Sequence, residues 1–249
     1  MNPAHLDEVN QIVEAALQAG LSLRLTGSWA VYFHCPEHRT LMAAFGRTYR
    51  DADFVAYTRD NKGVSSLMAE SGYVEDRHVF IASEGGRAIF HHPTTGFHVD
   101  VFYGKLDFCH TIPFDGRLEA DPPTIMLAEL LLSKMQIFHI NEKDLMDTIL
   151  LLLEHPIGDQ DAETINATRI AKLCAADWGL WRTVTMNLDK TQQIVHKYAQ
   201  LNSTQKELVS ERITALRTRI DGEPKSIPWR LRAQVGERIK WYKHVDEVE

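Results

Sequence analysis

The feature that most constrains this chain is a change of texture near residue 120. Before it, short apolar stretches alternate with helical ones. After it, the apolar residues fall at helical spacing almost without interruption. In the first part, Leu6, Val9, Ile12, Val13, Ala16 and Leu17 predict an opening helix closed by Gly20. "LSLRLTG" alternates and predicts a strand ending at Gly27, "SWAVYFHC" a helix, "ADFVAY" a second strand and "GVSSLMAESG" a short helix. "RHVFIAS", "GRAIFHH" and "GFHVDVFYG" read as three further strands joined by hairpin turns at "EGG" and "PTTG". "EADPPT" marks a boundary, with proline suited to a helix start. "TIMLAELLLSKMQIFH", "EKDLMDTILLLLEH", "DAETINATRIAKLCAADWGLWRTVTMNL" and two more segments then read as helices. The expected class is α+β: a small mixed sheet with flanking helices over 1–120, then an all-helical domain over 121–249.

The length of 249 residues suits two domains. Apolar residues at 44% and charged ones at 24% are ordinary for a globular chain, which argues against disorder as the main state. A net charge of −7 argues against a whole-surface grip on nucleic acid. Three cysteines far apart, with no CxxC pair, fit reduced thiols rather than a disulfide framework or structural zinc. The polar start "MNPAHLDEVNQ" does not resemble a signal peptide, and runs such as "TILLLL" are too short to span a bilayer. A cytoplasmic protein is the expectation.

The chemistry concentrates in "TYRDADFVAY". Asp51 and Asp53 are i and i+2 on a strand, so they face one side with alpha carbons about 6.5 Å apart. Two carboxylates so placed repel unless a cation lies between them, and magnesium accepts one or two carboxylates plus substrate phosphates. Asp100 interrupts an otherwise apolar strand, where a lone carboxylate is costly unless paired or metal-bound. Beside "ADFVAY" it would complete a three-carboxylate cluster of the kind that holds two metals. It could instead pair with Arg50 or Arg87. "LTGSWA" sets Gly27 and Ser28 at a strand-to-helix turn, where backbone N–H groups favour phosphate, although serine there is also an ordinary N-cap.

This succession of strand, Gly27-Ser28, helix, Asp51-x-Asp53 and a later Asp100 resembles the polymerase-beta-like nucleotidyltransferase superfamily. The resemblance spans roughly residues 20–104. It implies that Gly27 and Ser28 hold the triphosphate of a nucleoside triphosphate. It also implies that Asp51 and Asp53 bind Mg2+ (or Mn2+), and that Asp100 is a metal ligand or the base for an acceptor hydroxyl. "LAELLLSKMQIFHINEKDLMDTILLL" is similar to a segment of bacterial abortive-infection toxin-type nucleotidyltransferases, a toxin–antitoxin-like group, and aminoglycoside-type enzymes are also similar. By that analogy Lys134 contacts the triphosphate and Lys143 with Asp144 supports the site. The plainer alternative makes Leu130, Leu131, Ile137, Leu145, Ile149 and Leu152 core and the charges a solvated face. One departure stands out. Twenty-two residues separate Gly27-Ser28 from Asp51, where the family has about a dozen. The insert "CPEHRTLMAAFGRTYR" either extends the helix or forms a loop, and Arg50 at its end either binds phosphate or neutralises the aspartates.

Other motifs are lacking: no HExxH, no Walker loop, no GxGxxG and no serine-hydrolase elbow. The local concentration of His78, His91, His92, His98 and His110 has no zinc spacing. Residues 225–244 carry six Lys or Arg against one Glu, interleaved with Trp229, Trp241 and Tyr242. Such a stretch either contacts RNA or docks as an amphipathic terminal helix. The expected activity is magnesium-dependent transfer of a nucleoside monophosphate to an acceptor hydroxyl of a small molecule, an RNA end or a protein. A non-catalytic nucleotide-binding module and a phosphohydrolase using the same carboxylates are the alternatives.

Overall fold

The computed structural model of the chain describes residues 3–244. Backbone proximity divides the chain into two compact units. One comprises the residues up to Phe33, Gly46–Leu106 and Ile112–Met126; the other comprises His34–Phe45, Asp107–Thr111 and everything from Leu127 onward.

The first unit is built on a five-stranded mixed sheet. Its strands are β1 (Arg24–Thr26), β2 (Asp51–Ala56), β3 (Val74–Glu75), β4 (Arg87–His91) and β5 (His98–Tyr103), in the spatial order β1-β2-β5-β4-β3. Only the β2–β5 pair is parallel. A parallel neighbour needs a long crossover. Helices α4 (Asn61–Glu70) and α5 (Arg77–Ala82) and the β3–β4 strands supply it. Along β2, Ala52, Phe54 and Ala56 are buried, and along β5 so are Val99, Val101 and Tyr103. The intervening residues Asp51, Asp53, His98 and Asp100 face the other side of the sheet, as the two-residue repeat requires. Helix α1 (Pro3–Gln18) packs on α4, and Tyr73 donates a 3.1 Å hydrogen bond to Glu8 Oε2 on α1. Helix α2 (Gly27–His34) follows β1 directly.

The second unit holds α3 (Arg39–Ala44), α6 (Leu127–Met135), α7 (Glu142–Glu154), α8 (Ala167–Ala176), α9 (Trp178–Ile194), α10 (Ser203–Gly222) and α11 (Ile227–Val235). Its core draws on Leu130, Leu131, Leu132, Ile149, Leu152, Ile170, Leu188 and Ile213. Side-chain caps set the helix starts. Asn141 accepts from Asp144 N, Asn166 from Arg169 N, and Asn202 with Gln205 forms a capping box.

The α+β class expected from sequence is the observed one. Four local readings are corrected. "RHVFIAS" is helix α5, not a strand: its valine, isoleucine and phenylalanine favour a strand, but the Asp76 carboxylate accepts from His78 N at 2.9 Å and caps a helix. The "EGG" segment therefore ends a helix and is not a hairpin. The prolines of "EADPPT" do not start a helix. Pro123 O accepts from Leu25 N, and Ile125 N donates to Leu25 O, so this stretch lies extended beside β1 and α6 begins only at Leu127. The long helix read over 161–188 is divided. Ile165–Asn166 pairs in parallel with Ile157–Gly158 as a short strand. Asp177, extended, then separates α8 from α9 and accepts from Gly179 N and Leu180 N. The insert of residues 35–50 contains a 3-10 turn and α3 rather than a simple extension of α2.

His110 offers a test of the second unit. It is 5% exposed, its Nε2 lies 2.8 Å from Thr183 Oγ1, and burial lowers its pKa from the usual 6.5 to about 4. A depressed folded-state pKa gives stability that is present above pH 6.5 and is lost as pH falls towards 4. The loss amounts to roughly 3 kcal/mol across that window. Chemical denaturation between pH 7 and pH 4.5 should show this loss, and His110→Gln should flatten it.

Candidate functional site

Three strand ends and one helix start meet on the polar face of the sheet. In the β2–β5 register Asp51 lies beside His98 and Asp53 beside Asp100. Neighbouring strands run about 4.8 Å apart, so Asp53 and Asp100 project side by side. On the far side of β2, Thr26 of β1 pairs with Asp53. One row across the sheet thus reads Thr26, Asp53, Asp100 and Ile89, and the next reads Asp51, His98 and His91. Asp51 and His98 are exposed, while Asp53 and Asp100 are half-buried.

Gly27 belongs to this row by contact. Its φ is +63°, a conformation that favours glycine. An added Cβ would lie 2.2 Å from Asp53 Oδ2. The start of α2 therefore rests directly on the Asp53 carboxylate, and only glycine leaves room for it. Ser28, half-buried, occupies the next position of the helix. The helix is tied down from beneath: fully buried Trp29 donates Nε1–H to Asp51 O at 2.8 Å and packs against Tyr49. Thr26, 3% exposed, has a hydroxyl with no protein hydrogen-bond partner.

Asp100 is paired with Arg87, one of the two partners the sequence left open. Arg87 Nε donates to Asp100 Oδ1 at 2.9 Å and to Oδ2 at 3.0 Å, and its terminal nitrogen also donates to Oδ2. Burial pushes the Asp100 carboxyl above its ordinary range, with Asp51 adding to this and Arg87 pulling the other way. The bond to Asp100 in turn raises the Arg87 pKa, and the nearby Asp53 charge helps. Arg87 also lies over the Phe102 ring at 5.3 Å. Arg50 is exposed at the start of β2.

Asp51 and Asp53 are hard oxygen donors on one face, as a magnesium ion with phosphate co-ligands requires. Among the described residues, no group of three or more His, Cys, Asp or Glu is arranged to hold a metal ion. Of the three carboxylates, that of Asp100 is held by a guanidinium.

Lys134, Lys143 and Asp144 lie in the helical unit. Lys134 is 8% exposed, and its Nζ is 2.8 Å from Asp144 Oδ1 and 3.0 Å from Asp147 Oδ2. Its charge is thus not on a solvated face. Lys143 is exposed. Asp147, 1% exposed, is the residue the sequence reading missed. Its signal was available: Asp144 and Asp147 are i and i+3 on α7, hence neighbours on one helix face. Residues 225–244 include α11, and their aromatic side chains pack inward: Trp229 on Trp181, Trp241 on Trp178 and Tyr242 stacked on Phe138. Trp229 belongs to α11, whereas Trp241 and Tyr242 follow beyond the helices.

No helix among the described residues is long and apolar enough to cross a membrane. No family model, curated protein or solved structure matches the chain.

The Gly27 contact yields a prediction. Gly27→Ala should cost about 1–2 kcal/mol for the left-handed backbone, plus roughly 1–3 kcal/mol for the clash. In an Asp53→Ala background most of the clash part should disappear, leaving only the 3.2 Å approach to the Cβ of residue 53. A denaturation double-mutant cycle reads the difference, and additive costs would mean that Asp53 does not rest on the helix start.

Proposed function

We propose that this protein is a magnesium-dependent nucleotidyltransferase whose site lies on the polar face of the sheet. The observation that carries the reading is the row in which the start of α2, Asp53 and Asp100 adjoin one another. Asp53 already places a negative charge against a helix N-terminus. A triphosphate approaching the same place would be repelled unless a divalent cation lay between the two anions. Asp51 and Asp53 are the residues that would hold that cation, Mg2+ or Mn2+. When bound, it would neutralise charge on the phosphates. Gly27 and Ser28 would offer backbone N–H groups to the phosphate chain, and the Thr26 hydroxyl is a free polar group in the same row.

In the proposed reaction an acceptor hydroxyl oxygen forms a bond to the alpha phosphorus of a nucleoside triphosphate. The bond from that phosphorus to the bridging oxygen breaks, and pyrophosphate leaves with the electron pair. Asp100 would take the hydroxyl proton. Its carboxylate has about four lone-pair sites, and Arg87 leaves some of them free. Arg87 would hold Asp100 in position and soften its repulsion of Asp51 and Asp53. Positioning and charge neutralisation supply the rate enhancement, without a covalent enzyme intermediate. Lys134, expected at the triphosphate by analogy, is engaged by Asp144 and Asp147; we assign those three to holding α6 on α7.

The Arg87–Asp100 pair also favours a second reading, a nucleotide-binding module without turnover, in which Asp100 is structural. Two measurements separate the readings. Calorimetry with a set of nucleoside triphosphates should show binding that requires magnesium and weakens at least about tenfold in Asp51→Ala/Asp53→Ala. Incubation with alpha-labelled triphosphate and candidate acceptors should release pyrophosphate and label the acceptor. Release of free phosphate instead would favour hydrolysis. Magnesium-dependent binding without transfer would favour the module. No binding of any nucleotide would sink both.

A further inference from the structure

The helical unit has a cleft that the reading above does not use. Its volume is about 490 Å3, within the roughly 300–1,000 Å3 range of small-molecule sites. Phe45, Ile140, Leu145, Met146 and Ile194 form its apolar lining, and the first, second and third of these are buried. Phe45 and Tyr198 meet there with ring centroids 5.3 Å apart. Met146 adds a flexible, polarisable side chain that adapts to varied ligand shapes.

The rim is charged, and positive charge prevails. Lys190 and Lys197 are both exposed lining residues. Lys190 donates one hydrogen bond to Ile140 O at 3.1 Å, and an ammonium has three donors, so two remain. Glu142 is the acid on the rim, and Tyr198 donates to it at 3.4 Å. Glu142 is also the first residue of α7, so the positive end of a thirteen-residue helix borders the cleft.

We infer that this cleft binds a small amphipathic organic anion. Its aromatic or aliphatic body lies against Phe45, Met146 and Ile194, and its carboxylate, sulfonate or phosphate head lies beside Lys190 and Lys197. The inference stands on the helical unit alone and does not rest on nucleotidyl transfer.

Two fluorescent dyes test it on the full chain. 8-Anilino-1-naphthalenesulfonate carries an apolar body and an anionic head; N-phenyl-1-naphthylamine has a similar body and no charge. The sulfonate should bind saturably at one site, at least about tenfold tighter than the neutral dye. Lys190→Gln/Lys197→Gln should weaken the sulfonate by on the order of tenfold and leave the neutral dye unchanged. Met146→Trp, which fills the cleft, should weaken both. Circular dichroism would verify that each variant is folded; the two lysines are exposed, so their replacement leaves the core intact. Absence of saturable binding would overturn the inference. So would indifference of the sulfonate to either variant, or equal loss of both dyes when the lysines are replaced.

Discussion

The parallel pairing of β2 with β5 is the constraint on which the sheet unit depends. Six register pairs run from Asp51 beside His98 to Ala56 beside Tyr103. A shift of β5 by one residue against β2 would turn Val99 and Val101 to the polar face and drive Asp100 into the apolar layer. Each of those side chains is fully buried and contributes roughly 1.5–3 kcal/mol. Two carboxylates about 6 Å apart, at an effective dielectric near 20, oppose this by about 3 kcal/mol. The apolar layer wins. The juxtaposition of Asp53 and Asp100 is thus enforced from the opposite face of the sheet.

Both units solve the problem of a half-buried or buried charge by pairing, in different proportions. On the sheet, one guanidinium grips one carboxylate with several hydrogen bonds. In the helical unit, one ammonium is shared by Asp144 and Asp147, with Asp147 almost wholly buried. Removing Lys134 would take the shared ammonium away from two adjacent acids, which is the expensive way to break such a cluster. The lysine joins α6 to α7, so its geometry is a packing constraint before it is anything else. That is why a lysine and aspartates at suggestive spacing do not by themselves indicate a ligand site.

The strands that carry the candidate site were legible because their apolar residues alternate. Asp51, Asp53 and Asp100 stood out as the acids that broke an otherwise buried pattern. The pairing of Asp100 with Arg87 rather than Arg50 was not legible, since it depends on β4 lying against β5. Helix α5 was hidden by strand-forming residues; the Asp76 cap was the competing signal, and it prevailed over propensity. The extended course of residues 123–125 was hidden for the opposite reason. Proline suits a helix start, yet it also biases the residue before it away from helix, and Leu25 offered backbone partners. Asp147 escaped notice because it sits within an apolar run that reads as core.

The contact between Gly27 and Asp53 gives the candidate site its particular electrostatics. A helix N-terminus alone favours any anion. Here a protein carboxylate already stands at that position, and Asp51 stands two residues before it on the same face. A second anion gains from the helix dipole only what it does not lose to these charges. Arg87 directs its Nε–H and a terminal N–H to Asp100 and brings a single positive charge against three carboxylates. On the proposed reading, this arrangement would discriminate against a bare anion and favour one that arrives with its own divalent cation. Such a distinction would separate a metal-nucleotide site from a general phosphate site, and it would follow from the missing side chain at position 27.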